Sequence, residues 1–170
     1  TSISSFFFFF LQMTSAISNL TDDTVKHAFH IAQQIAKENI HAGFSAPHLL
    51  KALLHKDIGL LPLLKNLDKD HFYIEEWAEV RLESFPKSVP TGEPLADDTV
   101  TAILNEADDL RLKFNKDLVD AQLLLAAIVT PGVAFSFEQL KTLPLQRSEL
   151  IDAEIQNTDF AKLVDNTNSS

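Results

Sequence analysis

The sequence predicts an all-α protein of about eight helices, arranged as two four-helix repeats related by a pseudo-twofold axis. Three observations carry that expectation. Residues 22–54 slide onto residues 97–129 without a gap, giving nine identities in 33 positions at an offset of 75. Chance at ordinary composition would give about two. Apolar residues recur at helical rather than alternating spacing. Glycine occurs only 4 times, so long stretches carry no helix breaker of that kind.

The elements follow in order. Asp22 and Asp23 after Thr21 resemble an N-cap with acid in the first turn, where unpaired N–H groups and the helix dipole favour negative charge. Val25, Ala28, Phe29, Ala32, Ile35 and Ala36 then form one apolar stripe, predicting a helix to about Glu38. Gly43 breaks the pattern. Ser45 can cap a second helix with Pro47 in its first turn and Leu49, Leu50, Leu53 and Leu54 on its buried side. Gly59 and Pro62 bracket a short leucine-rich helix ending near Leu67. A fourth, capped by Asp68 or Asp70, carries Phe72, Tyr73, Trp77, Val80 and Leu82. Phe72, Tyr73, Trp77 and Phe85 are expected in the core more than at a binding site.

Pro86, Pro90, Gly92 and Pro94 make residues 85–95 a linker. Beyond it Asp97-Asp98-Thr99-Val100 repeats Asp22-Asp23-Thr24-Val25. Asp120 is expected to cap a helix to about Val129, Pro131-Gly132 breaks it, and a short helix should run through Phe135, Phe137 and Leu140. Phe135 and Phe137 lie two apart and cannot both face inward from a helix, so one is a candidate exposed anchor. A last helix should hold Leu150, Ile151 and Ile155. Repeat one is thus placed at 20–84 and repeat two at 96–156, within a domain of 13–156. Residues 157–170 are expected to be a polar, frayed tail. Neither repeat is large enough to bury its apolar faces alone, so the two should share one core.

Residues 1–12, with Phe6 to Phe10 consecutive, read as a non-native extension ahead of a natural start at Met13. The apolar run is shorter than the roughly 20 residues of a membrane span and lacks a signal peptide's basic flank. A net charge of −10 argues against nucleic acid, whose phosphates demand clustered Lys and Arg. Absence of cysteine excludes disulfides, thiolate metal sites and cysteine nucleophiles, and fits a cytoplasmic setting.

The repeat unit has a shape of its own. It joins Ala32-Gln33 within a capped helix to Pro47-His48-Leu49-Leu50-Lys51-Ala52-Leu53-Leu54, with a weaker second copy in Gln122-Leu123-Leu124-Leu125-Ala126-Ala127-Ile128. Over about residues 20–155, with Glu83-Ser84-Phe85-Pro86-Lys87 and Gly92-Glu93-Pro94 in the linker, this resembles the duplicated N-terminal domain of the Clp family of AAA+ unfoldases. Within that family it is similar to the disaggregase type and to the type that disassembles the type VI secretion sheath. The resemblance implies a module that binds hydrophobic or amphipathic segments of client proteins or adaptors and passes them to an AAA+ ring. Thr21 matches the family's threonine before the first helix; where disaggregases often place an acid, this chain has Ala121 with Asp120 beside it.

No G-x-x-x-x-G-K-[ST] phosphate loop occurs, so this segment carries no such ATPase site and no catalytic residue or cofactor is assigned to it. His27 and His30 lie three apart, and His48 and His55 seven apart, which raises the rival of a histidine-based metal-dependent enzyme. Zinc would want a third ligand and a second shell that the spacing does not supply. Asp22/Asp23 and Asp97/Asp98 are better explained as helix caps than as acid–base pairs. The remaining rival is a free-standing helical self-association domain. Candidate peptide-groove residues at the junction of the halves are Thr21, Val25, Leu95, Val100, Leu118 and Val119, expected to sit within an acidic rim.

Overall fold

The computed structural model describes residues 20–88 and 92–168; the Phe6–Phe10 run and the Met13 start lie outside them. Eight α-helices are found among the described residues: α1 (Asp23–Glu38), α2 (Ala46–Leu53), α3 (Leu61–Asn66), α4 (His71–Leu82), α5 (Asp98–Lys113), α6 (Ala121–Ile128), α7 (Phe137–Leu140) and α8 (Arg147–Asn168). A 3₁₀ turn, Lys56–Ile58, precedes α3, and two short strands, β1 (Gly43–Phe44) and β2 (Leu95–Ala96), pair in parallel.

The 75-residue offset holds in three dimensions for the first two helices of each repeat, with the cap bonds displaced by one residue. Asp22 accepts from Val25 N–H at 2.8 Å and its counterpart Asp97 accepts from Thr99 N–H at 3.0 Å. The first helix of each repeat ends in the same left-handed turn. Ile40 has φ 59° and Asn115 φ 53°, and the next N–H reaches back to Ala36 O (2.8 Å) or Arg111 O (3.0 Å). Asparagine tolerates that conformation, whereas β-branched isoleucine is strained in it.

Helices α2 and α6 form the centre. Every residue of α2 except Lys51, and every residue of α6 except Gln122, is buried. Helices buried on nearly every side need neighbours on nearly every side, and these two pack against α1 and α5 and against each other. Each fully buried Leu contributes about 1.5–3 kcal/mol, so this pair anchors the shared core.

The repeats are also laced together by backbone. Phe44 O accepts Asp97 N–H at 3.0 Å, and its counterpart Val119 O accepts Asp22 N–H at 3.0 Å. Phe44 pairs with Ala96 and Val119 with Thr21, the same contact seen from each side of the pseudo-twofold axis. The all-helical expectation omits these pairings because two-residue strands leave no alternation to read.

Departures cluster in the second half of each repeat. On α4 the buried side is Ile74, Trp77, Ala78 and Leu82, while Phe72, Tyr73 and Val80 are exposed. Phe72 and Tyr73 therefore leave the expected core set: Asp70 caps the helix and rotates both outward. Phe135 precedes α7 instead of joining it. The backbone of α8 continues to Asn168, past Gln156 where a frayed tail was expected.

Candidate peptide-binding surface

Both strand pairings lie where one repeat's first helix begins and the other's loop between its first two helices ends. Gly43 stands opposite Leu95; at the equivalent crossing, the Thr21–Val119 pairing brings Leu118 alongside Leu20. Gly43 is required by contact: a Cβ there would lie 2.6 Å from the Leu95 carbonyl oxygen. That close approach fixes β2 and holds Leu95 outward.

The six candidate groove residues divide sharply. Val25, Val100 and Val119 are fully buried and Thr21 is nearly so, which places these four in the core rather than on an accessible lining. Leu95 is 50% exposed and Leu118 43% exposed, so they are the surface members of the set. Asp117 and Asp120 flank Leu118 in sequence, and Glu93, Asp97 and Asp98 flank Leu95. Burial pushes the Asp22 carboxyl up, opposed by the Val25 N–H and reinforced by repulsion from Asp120 and Asp23. Acidic groups thus crowd the crossing beside Leu118.

On another face the repeats meet through Trp77. Its indole N–H donates to Thr142 Oγ1 at 2.8 Å, its ring packs edge-on against Phe135 at 5.0 Å, and the Arg81 guanidinium lies over it at 3.3 Å. Phe135 is buried by this contact, whereas Phe137 is 62% exposed. Phe137 overhangs a cleft of about 540 Å³ whose lining includes Val129, Leu140, Leu143 and Leu145. The two-residue Phe spacing was the sequence signal for that exposed ring.

The histidines do not form a common centre. His27 and His55 approach the Asp57 carboxylate at 3.9 and 3.6 Å on a half-exposed surface, and His30 pairs with Gln34. No group of three His, Cys, Asp or Glu among the described residues is placed to hold a metal ion. His48 is fully buried and joined to His41, a partner that its sequence spacing did not single out. Asp22 and Asp97 serve as helix caps, as their positions implied. Among the described residues no helix is long and apolar enough to cross a membrane.

Comparison with known proteins places this geometry. A family model, the Clp repeat (R) N-terminal domain, matches residues 20–140. No curated protein matches in sequence. Solved structures do match in fold. The N-terminal domain of ClpV1 ATPase from the Sci1 type VI secretion system of enteroaggregative E. coli aligns with TM-score 0.69 and 21% identity, over 84% of this chain and 88% of that one. The Hsp104 N-terminal domain from Candida albicans gives TM-score 0.65 and 16% identity, over 79% and 89%. A ClpV N-domain in complex with a VipB peptide gives TM-score 0.65 and 17% identity, over 80% and 85%.

Proposed function

Because this chain belongs to the Clp repeat (R) N-terminal domain family, an interaction module of Clp-type ATPases, we propose that it recruits polypeptides by their apolar segments without itself catalysing a reaction. The contact would be made at the two strand crossings, with Leu95 and Leu118 as anchors. One observation carries this assignment: reciprocal backbone pairing pins two half-exposed leucines at equivalent ends of the seam, each among acids. Rigid apolar anchors inside an acidic rim suit an amphipathic segment with basic residues beside its apolar face. A similar fold holding a VipB peptide supports peptide as the ligand class.

Client or adaptor segments of that chemistry would be weak ligands singly, strengthened when several modules are displayed on an AAA+ ring. Sheath recycling in type VI secretion and disaggregation are the two settings that the family resemblance implies, and similar folds in a ClpV1 ATPase of a type VI secretion system and in Hsp104 support that range. The test is a titration of isotope-labelled protein with a basic amphipathic peptide and its acidic counterpart. Backbone shifts should concentrate at residues 20–22, 93–97 and 117–120 for the basic peptide. L95D and L118D should each weaken binding about tenfold, the scale of one buried anchor, with melting temperature unchanged. Shifts confined to the Phe137 cleft, or equal affinity for both peptides, would overturn the assignment.

A further inference from the structure

The loop after α1, the start of α2 and the beginning of the inter-repeat connection converge on two buried histidines. His41 Nδ1 and His48 Nε2 are 2.9 Å apart. His48 Nδ1 accepts the Ser45 N–H at 3.0 Å, which leaves the His48 proton on Nε2 and makes it the donor to His41 Nδ1. Phe85 closes the cluster, its ring centroid 5.6 Å from His41 and 5.3 Å from His48. Three residues on, Ser88 N–H donates to Ile40 O at 2.9 Å. The two imidazoles and this one backbone bond therefore moor residues 85–88 to repeat one.

The other repeat meets the same need differently. His41 corresponds to Lys116, which ion-pairs with the α6 cap Asp120 at 2.6 Å and with buried Glu154. Burial alone would push the Lys116 amine down, yet hydrogen bonds and charge from Asp120 and Glu154 hold it up, so this tether keeps its charge from pH 5 to 8. At the equivalent place repeat one has a neutral donor–acceptor pair of the side chain that titrates in that range.

We propose that His41, His48 and Phe85 form a proton-operated latch that holds the start of the inter-repeat connection at neutral pH and releases it on acidification. Adding a proton to either ring turns an N–H···N bond into two opposed donors and sets a charge in a site closed by an aromatic ring. The charged groups around the pair do not cancel that cost. Lys87 on the connection and Lys51 on α2 disfavour protonation, and Asp97 ahead of α5 alone favours it. The far end of the connection is held independently, by Gln33 Nε2 donating to Pro94 O at 3.0 Å and by Lys37 pairing with Glu93 at 2.7 Å. Release is thus confined to the first end.

Burial foremost, then the charge of His41, lowers His48 to about 4 from 6.5. The closed latch is fully favoured above pH 6.5 and weakens as pH falls toward 4. Opening exposes the ring to water, so the open fraction should rise about thirtyfold between pH 7.5 and 5. Amide hydrogen exchange measured across that range on the whole chain reads this directly. Protection of the Ser88 N–H should fall about thirtyfold, while the Trp77 indole N–H and the α6 amides keep theirs. H48Q removes the more buried of the two titrating rings and retains the cap, since a glutamine three residues after Ser45 completes a capping box of the kind Ser136 and Gln139 form here. In H48Q the pH dependence at Ser88 should shrink to what His41 alone contributes, and in the double variant H41N/H48Q it should disappear. Unchanged Ser88 protection in the native chain, an identical pH profile in H48Q, or equal loss at Trp77 and α6 would each overturn the latch.

Discussion

Replacing Gly43 by alanine tests whether the strand crossings are as rigid as the proposed anchors require. The added methyl would sit 2.6 Å from the Leu95 carbonyl oxygen, about 0.8 Å inside ordinary contact, and the obstacle is backbone that cannot swing away. Gly43 is outside the left-handed region, so alanine gains about 0.4–1 kcal/mol by restricting the unfolded chain. Against this, displacing β2 strains the Phe44–Ala96 pairing and the Asp97 N–H bond to Phe44, an overpacking cost of about 1–3 kcal/mol. The net expectation is a loss of about 1–2 kcal/mol. Urea unfolding followed by the single tryptophan should show the midpoint fall by roughly 0.5–1 M at unchanged slope. L118G is the control: that position already carries a half-exposed side chain, so its effect should stay within about 1 kcal/mol. A G43A midpoint equal to or above the native one would refute the close approach as a constraint.

Two further substitutions probe what joins the repeats and where the backbone is strained. W77A removes the ring that packs on Phe135 and should cost about 3–5 kcal/mol in chemical denaturation. W77F forfeits chiefly the bond to Thr142 and should cost nearer 1–2 kcal/mol; equal costs would show that the ring packing adds nothing beyond the hydrogen bond. I40N copies Asn115, its counterpart in repeat two, into the same left-handed turn. It should raise stability by about 0.5–1 kcal/mol in thermal melts, and a lower melting temperature would deny strain at Ile40.

Much of the architecture was legible because local chemistry and fold agree. Asp-Asp-Thr-Val announces the first helix of each repeat, since a carboxylate meets orphan N–H groups wherever a helix starts. Ser45 with Pro47, and Asp120, do the same for the two central helices. The surface was less legible. Val100 and Val119 share sequence neighbourhoods with Leu95 and Leu118, yet only the two leucines reach solvent. On α4 the aromatic residues looked alike by composition, and the phase set by Asp70 decided that Trp77 points inward and Tyr73 outward.

Duplication at a 75-residue offset, capped helix starts and a leucine-rich second helix in each repeat were determined by sequence alone. Each depends on contacts between residues close in the chain, or on composition that only burial can satisfy. Tertiary structure decided the rest. Leu95 is held at the surface because Gly43, far from it in sequence, admits its backbone. Phe135 is core because Trp77 from the other repeat covers it. His41 and His48 bond because a left-handed turn at Ile40 folds the intervening loop back. Such properties arise between segments whose relative placement is set by the packing of the whole core, and no local pattern encodes them.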